Sequence, residues 1–138
     1  MTDTIDMAQT TAERVARGKA IVAELTNGAP QPHSLDALAR DFPFLSNAVN
    51  AFAVGEIFDR TVLDVRTRQL ALCAAFAVLG LTDYIKIHAG YALNHGATED
   101  EVKEIANLVI IPGGFPRAIM ASQAIGELLA SRQVPDSA

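Results

Sequence analysis

The chain has 138 residues, a formal net charge of -5, a pI near 5.0 and a single cysteine. That length supports one domain with a real core and excludes two ordinary ones. The acidic balance without a Lys/Arg cluster, and the absence of Trp, exclude a nucleic-acid partner that must neutralise phosphates and stack bases. The lone Cys73 excludes an intrachain disulfide and a redox thiol pair, and in ALCAAF it reads as a buried thiol.

The chain is expected to be one all-α domain over residues 1–138, with loose tails at about 1–9 and 132–138. A first helix is predicted from Thr11 to Leu25, with a moderate stripe of Ala12, Val15, Ala16, Lys19, Ala20, Val22 and Ala23. Asn27 and Gly28 stop it, and Pro30 and Pro32 keep the link nonhelical. A short helix follows over Ser34 to Arg40, with Ser34 as its cap. Pro43 then opens a buried helix through about Phe58, on which Phe44, Leu45, Ala48, Val49, Phe52 and Ala53 recur at helical spacing. Glu56 sits on that apolar element, either turned outward or held beside a cavity.

Asp64 caps the next helix, whose polar first turns carry Arg66, Thr67, Arg68 and Gln69 before LALCAAFAVLGL begins. Its length and many alanines favour helix over strand. Gly80 ends it, Thr82 is placed to cap its successor, and Asn94, His95 and Gly96 close that one. Thr98 and Glu101 have capping-box spacing, ahead of an inward stripe of Val102, Ile105, Ala106, Val109 and Ile110. Pro112 and two glycines break the chain, and Phe115 to Leu129 form a last helix with Ile119, Met120, Ala124, Ile125 and Leu128 available for packing. The sum is a bundle of about six helices. The N-terminal segment lacks an apolar signal run, and no stretch has the 18 or so apolar residues of a membrane span, so the expected location is cytoplasmic with no membrane partner.

His88 is the residue with most chemical promise. It lies one turn before Tyr91, so the two are neighbours on a helix, while Lys86 is directed elsewhere. Near its ordinary pKa an imidazole moves protons; the alternative is a histidine hydrogen-bonded at a helix interface. Glu56 is either its orienting carboxylate, an acid with a raised pKa, or an exposed acid at a helix end. His95 reads as a C-terminal cap. One of Arg66 and Arg68 is expected to pair with Asp64 or Glu56, and Arg117 is either a bidentate carboxylate clamp or a surface residue. No metal site is expected: His33, His88 and His95 have no carboxylate or cysteine cluster, and the last two stand about 10 Å apart along a helix. Neither a phosphate-cradling loop nor a GxSxG elbow is present.

FAVGEIFDRTVLDVRTR, IKIHAGYALNHGATEDEVKEI and GGFPRAI, in that order from Phe52 onward, together resemble the carboxymuconolactone decarboxylase family. The resemblance implies a cofactor-independent helical enzyme that forms a homo-trimer or homo-hexamer. The related alkyl-hydroperoxidase branch carries a thiol pair and an upstream glutamate where this chain has Leu81, Tyr84 and Gln69, so thiol peroxidase activity is not expected. The decarboxylase branch also lacks the thiols, and likeness to it implies His88 and Glu56 as catalytic residues. Substrate contacts then fall to Lys86, Arg66, Arg117, Tyr91 and Phe58. Phe58 stands where that branch carries tryptophan, Lys86 where it carries arginine near the histidine, and Pro112 where it carries tyrosine. Lysine neutralises an acid without an arginine's fork, which points to an altered substrate.

The expected activity is a decarboxylase or related lyase acting on a small carboxylated lactone or unsaturated acid. The alternatives are an isomerase, dehydratase or cyclase using the same acid/base pair, and a non-catalytic ligand-binding or assembly protein.

Overall fold

The computed structural model describes residues 5–134, which are helical or irregular throughout with no strand among them. Residues 1–4 and 135–138 of the two expected loose tails lie outside the described residues. The chain's internal contacts group into two compact units, Met1–Val62 and Leu63–Ala138.

In the first unit, α1 (Thr11–Leu25) begins with a reciprocal capping box: the Thr10 side chain accepts from the Glu13 amide while the Glu13 carboxylate accepts from the Thr10 amide. Its inward residues are Gly18, Ile21, Val22 and Leu25, so that of the expected stripe only Val22 is among the fully buried residues. The reason is a backbone contact. A Cβ at Gly18 would overlap the Asn50 carbonyl oxygen, and one at Gly55 would sit 2.5 Å from the Arg14 carbonyl oxygen. The two helices therefore meet through a glycine contributed by each, at a separation no side chain permits. The short α2 (His33–Asp41) starts one residue earlier than expected, and Ser34 does not cap it, since the cap position is Pro32.

Pro43 opens α3 (Pro43–Ala48), which continues into a π-helical stretch, Val49–Phe58. One long helix is thus present, but its second part is wound more widely, with i→i+5 hydrogen bonds. Wide turns displace the usual backbone partners, and the Asn50 side chain donates to the Ser46 carbonyl at 3.0 Å. Phe44, Leu45 and Phe52, expected inside, are 87%, 50% and 55% exposed.

In the second unit, α4 (Val65–Leu79) is capped by Asp64, whose carboxylate accepts from the Thr67 amide, and ends at Gly80 in the left-handed conformation with φ 75°. The next helix, α5 (Thr82–Asn94), has Leu81 at its cap position and no side-chain cap, so the expected Thr82 cap is not made. The Thr98–Glu101 capping box is formed in both directions at the start of α6 (Glu99–Leu108). Helix α7 (Ile110–Arg132) carries a break at Gly114 (φ 78°, ψ 172°), within the predicted turn, and its axis is turned 118° from that of α6.

The core of this unit joins Cys73 and Ala77 of α4 to Ile85, Ala89 and Ala92 of α5, with Val102 and Ile105 from α6 and Ala121 and Ile125 from α7. The buried face of α7 runs through Ala118, Ala121, Ala124, Ile125 and Leu129. Ile119 and Met120 point outward, contrary to expectation. Small residues face in because four helices converge here, and alanine permits their close approach. Seven α-helical segments are described in all. No single helix among the described residues is long and apolar enough to cross a membrane.

Candidate functional site

The face of α4 that meets α5 is set by the spacing Gln69, Cys73, Phe76, which returns to one side of a helix every three or four residues. From α5 the matching stripe is Tyr84, Ile85, His88 and Tyr91. Where the stripes meet, the oxygen Oε1 of Gln69 lies 2.6 Å from Nδ1 of His88. Gln69 has no solvent exposure and His88 is 8% exposed. The Phe76 ring stacks on the imidazole at 4.9 Å and 27°, and also on Tyr84 at 5.2 Å and 28°. Tyr91 presents an edge-on contact to the imidazole at 5.6 Å and 84°. A hydrogen bond, a stacked face and a perpendicular neighbour are among the contacts that hold the ring.

Burial pushes the His88 pKa down to about 4, so the ring is neutral near pH 7. A neutral imidazole carries one N–H. Hydrogen bonding to an amide oxygen assigns that proton to Nδ1 and leaves the basic lone pair on Nε2. The nitrogen Nε2 of Gln69 is itself buried with no hydrogen-bond partner, an uncompensated donor of the kind that costs about 1–3 kcal/mol. Burial also raises the Tyr91 hydroxyl pKa, keeping it a neutral donor. Cys73, packed nearby on α4, has its thiol pushed up to about 11 by burial and directed at the Ile85 carbonyl at 3.9 Å. It is a packing residue.

The other expected site residues have separate settings. Glu56 Oε1 forms an ion pair with Arg14 Nε at 3.0 Å, with side chains 13% and 20% exposed respectively, while Arg14 Nε and the second Glu56 oxygen are both buried without a hydrogen bond. It is thus a largely sheltered acid with an arginine as its partner, not the exposed acid at a helix end. Phe58 is half-buried at the end of the π-helical stretch. Lys86 turns away from the His88 side of α5, as its spacing requires, to an ion pair with Glu127 of α7, which raises the ammonium pKa chiefly through that hydrogen bond. Arg66 pairs with Glu101. Arg117 lies against the end of α4, where a Cβ at Gly80 would overlap its guanidinium, and its Nη1 is 4.0 Å from the Met120 sulfur.

The structure therefore brings His88 and Tyr91 together, and it adds Gln69 and Phe76, which were not among the expected site residues. Gln69 follows RTR in what reads as a polar first turn, and so resembles a surface residue. The signal that could have singled it out is its phase: it falls one and two turns before Cys73 and Phe76, on the inward face. No group of three or more His, Cys, Asp or Glu suited to a metal occurs among the described residues.

Residues 43–127 match the model of the carboxymuconolactone decarboxylase family. The chain is 30% identical over 95 residues to the 4-carboxymuconolactone decarboxylase of Acinetobacter baylyi, covering 69% of each chain. It is also 34% identical over 73 residues to an uncharacterized protein of Methanocaldococcus jannaschii, MJ1511, covering 53% of this chain and 68% of that one.

Proposed function

Because the chain belongs to the carboxymuconolactone decarboxylase family, we propose that it is a cofactor-independent lyase that decarboxylates a small carboxylated lactone or unsaturated acid. The observation that carries the proposal is the buried His88–Gln69 pair, a neutral imidazole held in one tautomer by a side chain with no exposure of its own. Burial and fixed orientation are what proton transfer by a side chain needs.

In the proposed reaction the bond from the substrate carbon to its carboxylate breaks and carbon dioxide leaves. The electron pair passes into the conjugated carbonyl, giving an enolate that is then protonated on carbon. The resting imidazole has a pKa of about 4 and holds little proton at pH 7. An anionic substrate beside it raises that value and recruits the proton that His88 delivers. Gln69 orients the ring, and its unpartnered amide nitrogen offers a hydrogen bond to a substrate oxygen. Among the described residues Arg117 has no carboxylate partner, in contrast to Arg66 and Lys86. It is therefore assigned the substrate acid.

A second reading is favoured by the low His88 pKa. A neutral imidazole is the form that accepts a proton, which suits an isomerase or dehydratase that abstracts a proton and returns it. The test is incubation with 4-carboxymuconolactone in heavy water. Carbon dioxide release with one deuteron gained supports the decarboxylase; deuterium incorporation without mass loss supports the isomerase; neither outcome at any enzyme concentration overturns both. Thiol peroxidase chemistry is not proposed, since Leu81 and Tyr84 stand at the thiol positions and Cys73 is a buried, protonated thiol.

Assembly into a homo-oligomer is part of the proposal. Ile111, Phe115 and Leu108 are 88%, 67% and 56% exposed at the corner between α6 and α7, and apolar side chains clustered at one corner mark an interaction surface.

A further inference from the structure

The first unit contains a cavity of about 520 Å³ between α1, α2, α3 and the π-helical stretch, within the roughly 300–1,000 Å³ range of small-molecule sites. Its walls include Val22, Leu35, Leu38 and Val54, all aliphatic, and no aromatic ring lines it. The polar groups on it are Lys19, Ser46, Asn47 and their neighbours Gln31 and Asn50. No carboxylate is among them. Lys19 is exposed, which places it at the rim, and no ion pair is described for it, whereas Arg14, Arg17 and Arg40 in the same unit each have an acid partner. Ser46 is 8% exposed and belongs to the wall.

We propose that this cavity is a binding site for a linear aliphatic monocarboxylate, its chain against the aliphatic wall and its carboxylate at Lys19. The absence of a ring on the wall removes any stacking partner for an aromatic acid. One ammonium with the Ser46 hydroxyl and the Asn47 amide, the Gln31 and Asn50 amides being bonded to Asp36 and the Ser46 carbonyl, suits a single negative charge rather than a phosphate, which draws bidentate or multiple cations. The site lies wholly on helices that do not carry His88, so it stands or falls independently of the chemistry proposed there.

The test is calorimetric titration of the full chain with octanoate and with octan-1-ol, its uncharged counterpart. Saturable binding of both is expected, octanoate tighter by threefold or more, the scale of an exposed ion pair. Lys19→Met is expected to bring octanoate down to the level of octanol while octanol changes by less than twofold. Ala39→Trp, at an exposed lining position of α2, fills the cavity and is expected to abolish both, with the helical circular dichroism unchanged. Absence of saturable octanoate binding, equal affinity for the acid and the alcohol, or an unaltered octanoate affinity in Lys19→Met would overturn the proposal. So would an Ala39→Trp variant that still binds octanoate but changes oligomeric state, which would assign the cavity to a second copy of the chain.

Discussion

Gln69 reaches across from α4 to α5 and sets its amide oxygen 2.6 Å from Nδ1 of His88. Both residues are buried, and the imidazole is stacked on Phe76, itself two turns further along the same helix as Gln69. A histidine that only filled space would be content with apolar neighbours; this one has a buried amide committed to it.

Replacing that amide separates orientation from burial. Gln69→Leu keeps the volume and removes the acceptor, so the imidazole loses its preference for the Nδ1–H tautomer. Nitrogen NMR shifts of His88 are expected to move toward a tautomer mixture, and kcat to fall by about tenfold or more with a smaller change in KM. Gln69→Glu returns a negative charge to the ring and is expected to raise the His88 pKa above 4, displacing the acid limb of the pH–rate profile upward. A tautomer unchanged in Gln69→Leu would remove the orienting role.

Burial of a neutral imidazole has a consequence for stability. The folded-state pKa of about 4 lies below the ordinary value of 6.5, so between these values the unfolded chain binds more protons. His88 therefore makes the fold less stable as pH falls from about 6.5 toward 4, by up to ~3 kcal/mol, and adds no further loss below that. Denaturant titrations of the wild type and His88→Asn across this window are expected to converge as pH falls, since the variant lacks that term. Parallel curves would show that the ring titrates near its ordinary value.

The crossing of α1 with the π-helical stretch depends on two glycines. Gly18→Ala and Gly55→Ala each place a methyl group onto a backbone oxygen of the partner helix, and a loss of about 1–3 kcal/mol is expected for each, as for other overpacked sites. Gly126→Ala is the control: nothing lies within 4 Å of its added methyl, it sits inside α7, and a gain of roughly 0.5–1 kcal/mol is expected from helix propensity. Thermal melts of the three variants would check the contrast.

The exposed corner between α6 and α7 predicts assembly. Light scattering is expected to return a mass above 14.7 kDa at micromolar concentration, and Ile111→Asp to lower it. A monomeric wild type would contradict the assembly proposal.

Much of the fold was legible because local chemistry announces it. Thr98 and Glu101 stand at capping-box spacing, Asp64 precedes a helix, and Gly80 ends one, and each behaves as its residue type dictates. The inward faces were less legible where small residues do the packing. On α7 the bulky Ile119 and Met120 carry the stronger apolar signal, yet Ala118 and Ala121 are the ones inside, because close helix approach selects volume over hydrophobicity. On α1 the same holds for Gly18. The widening of Val49–Phe58 into a π-helix has no residue-type signature comparable to a cap. Within the site, His88 and Tyr91 could be read from their one-turn spacing, but the commitment of Gln69 needed a second helix in place, and pairwise partners such as Glu127 for Lys86 or Glu101 for Arg66 are tertiary facts.

The most direct measurement is the turnover of His88→Asn on 4-carboxymuconolactone, or on whichever carboxylated lactone the wild type decarboxylates, at saturating substrate. Asparagine keeps a polar group against Gln69 but cannot exchange a proton near neutral pH. A fall in kcat of at least tenfold, with the circular dichroism and the oligomeric mass unchanged, is the result expected of a proton-transferring imidazole. Turnover close to that of the wild type would contradict it.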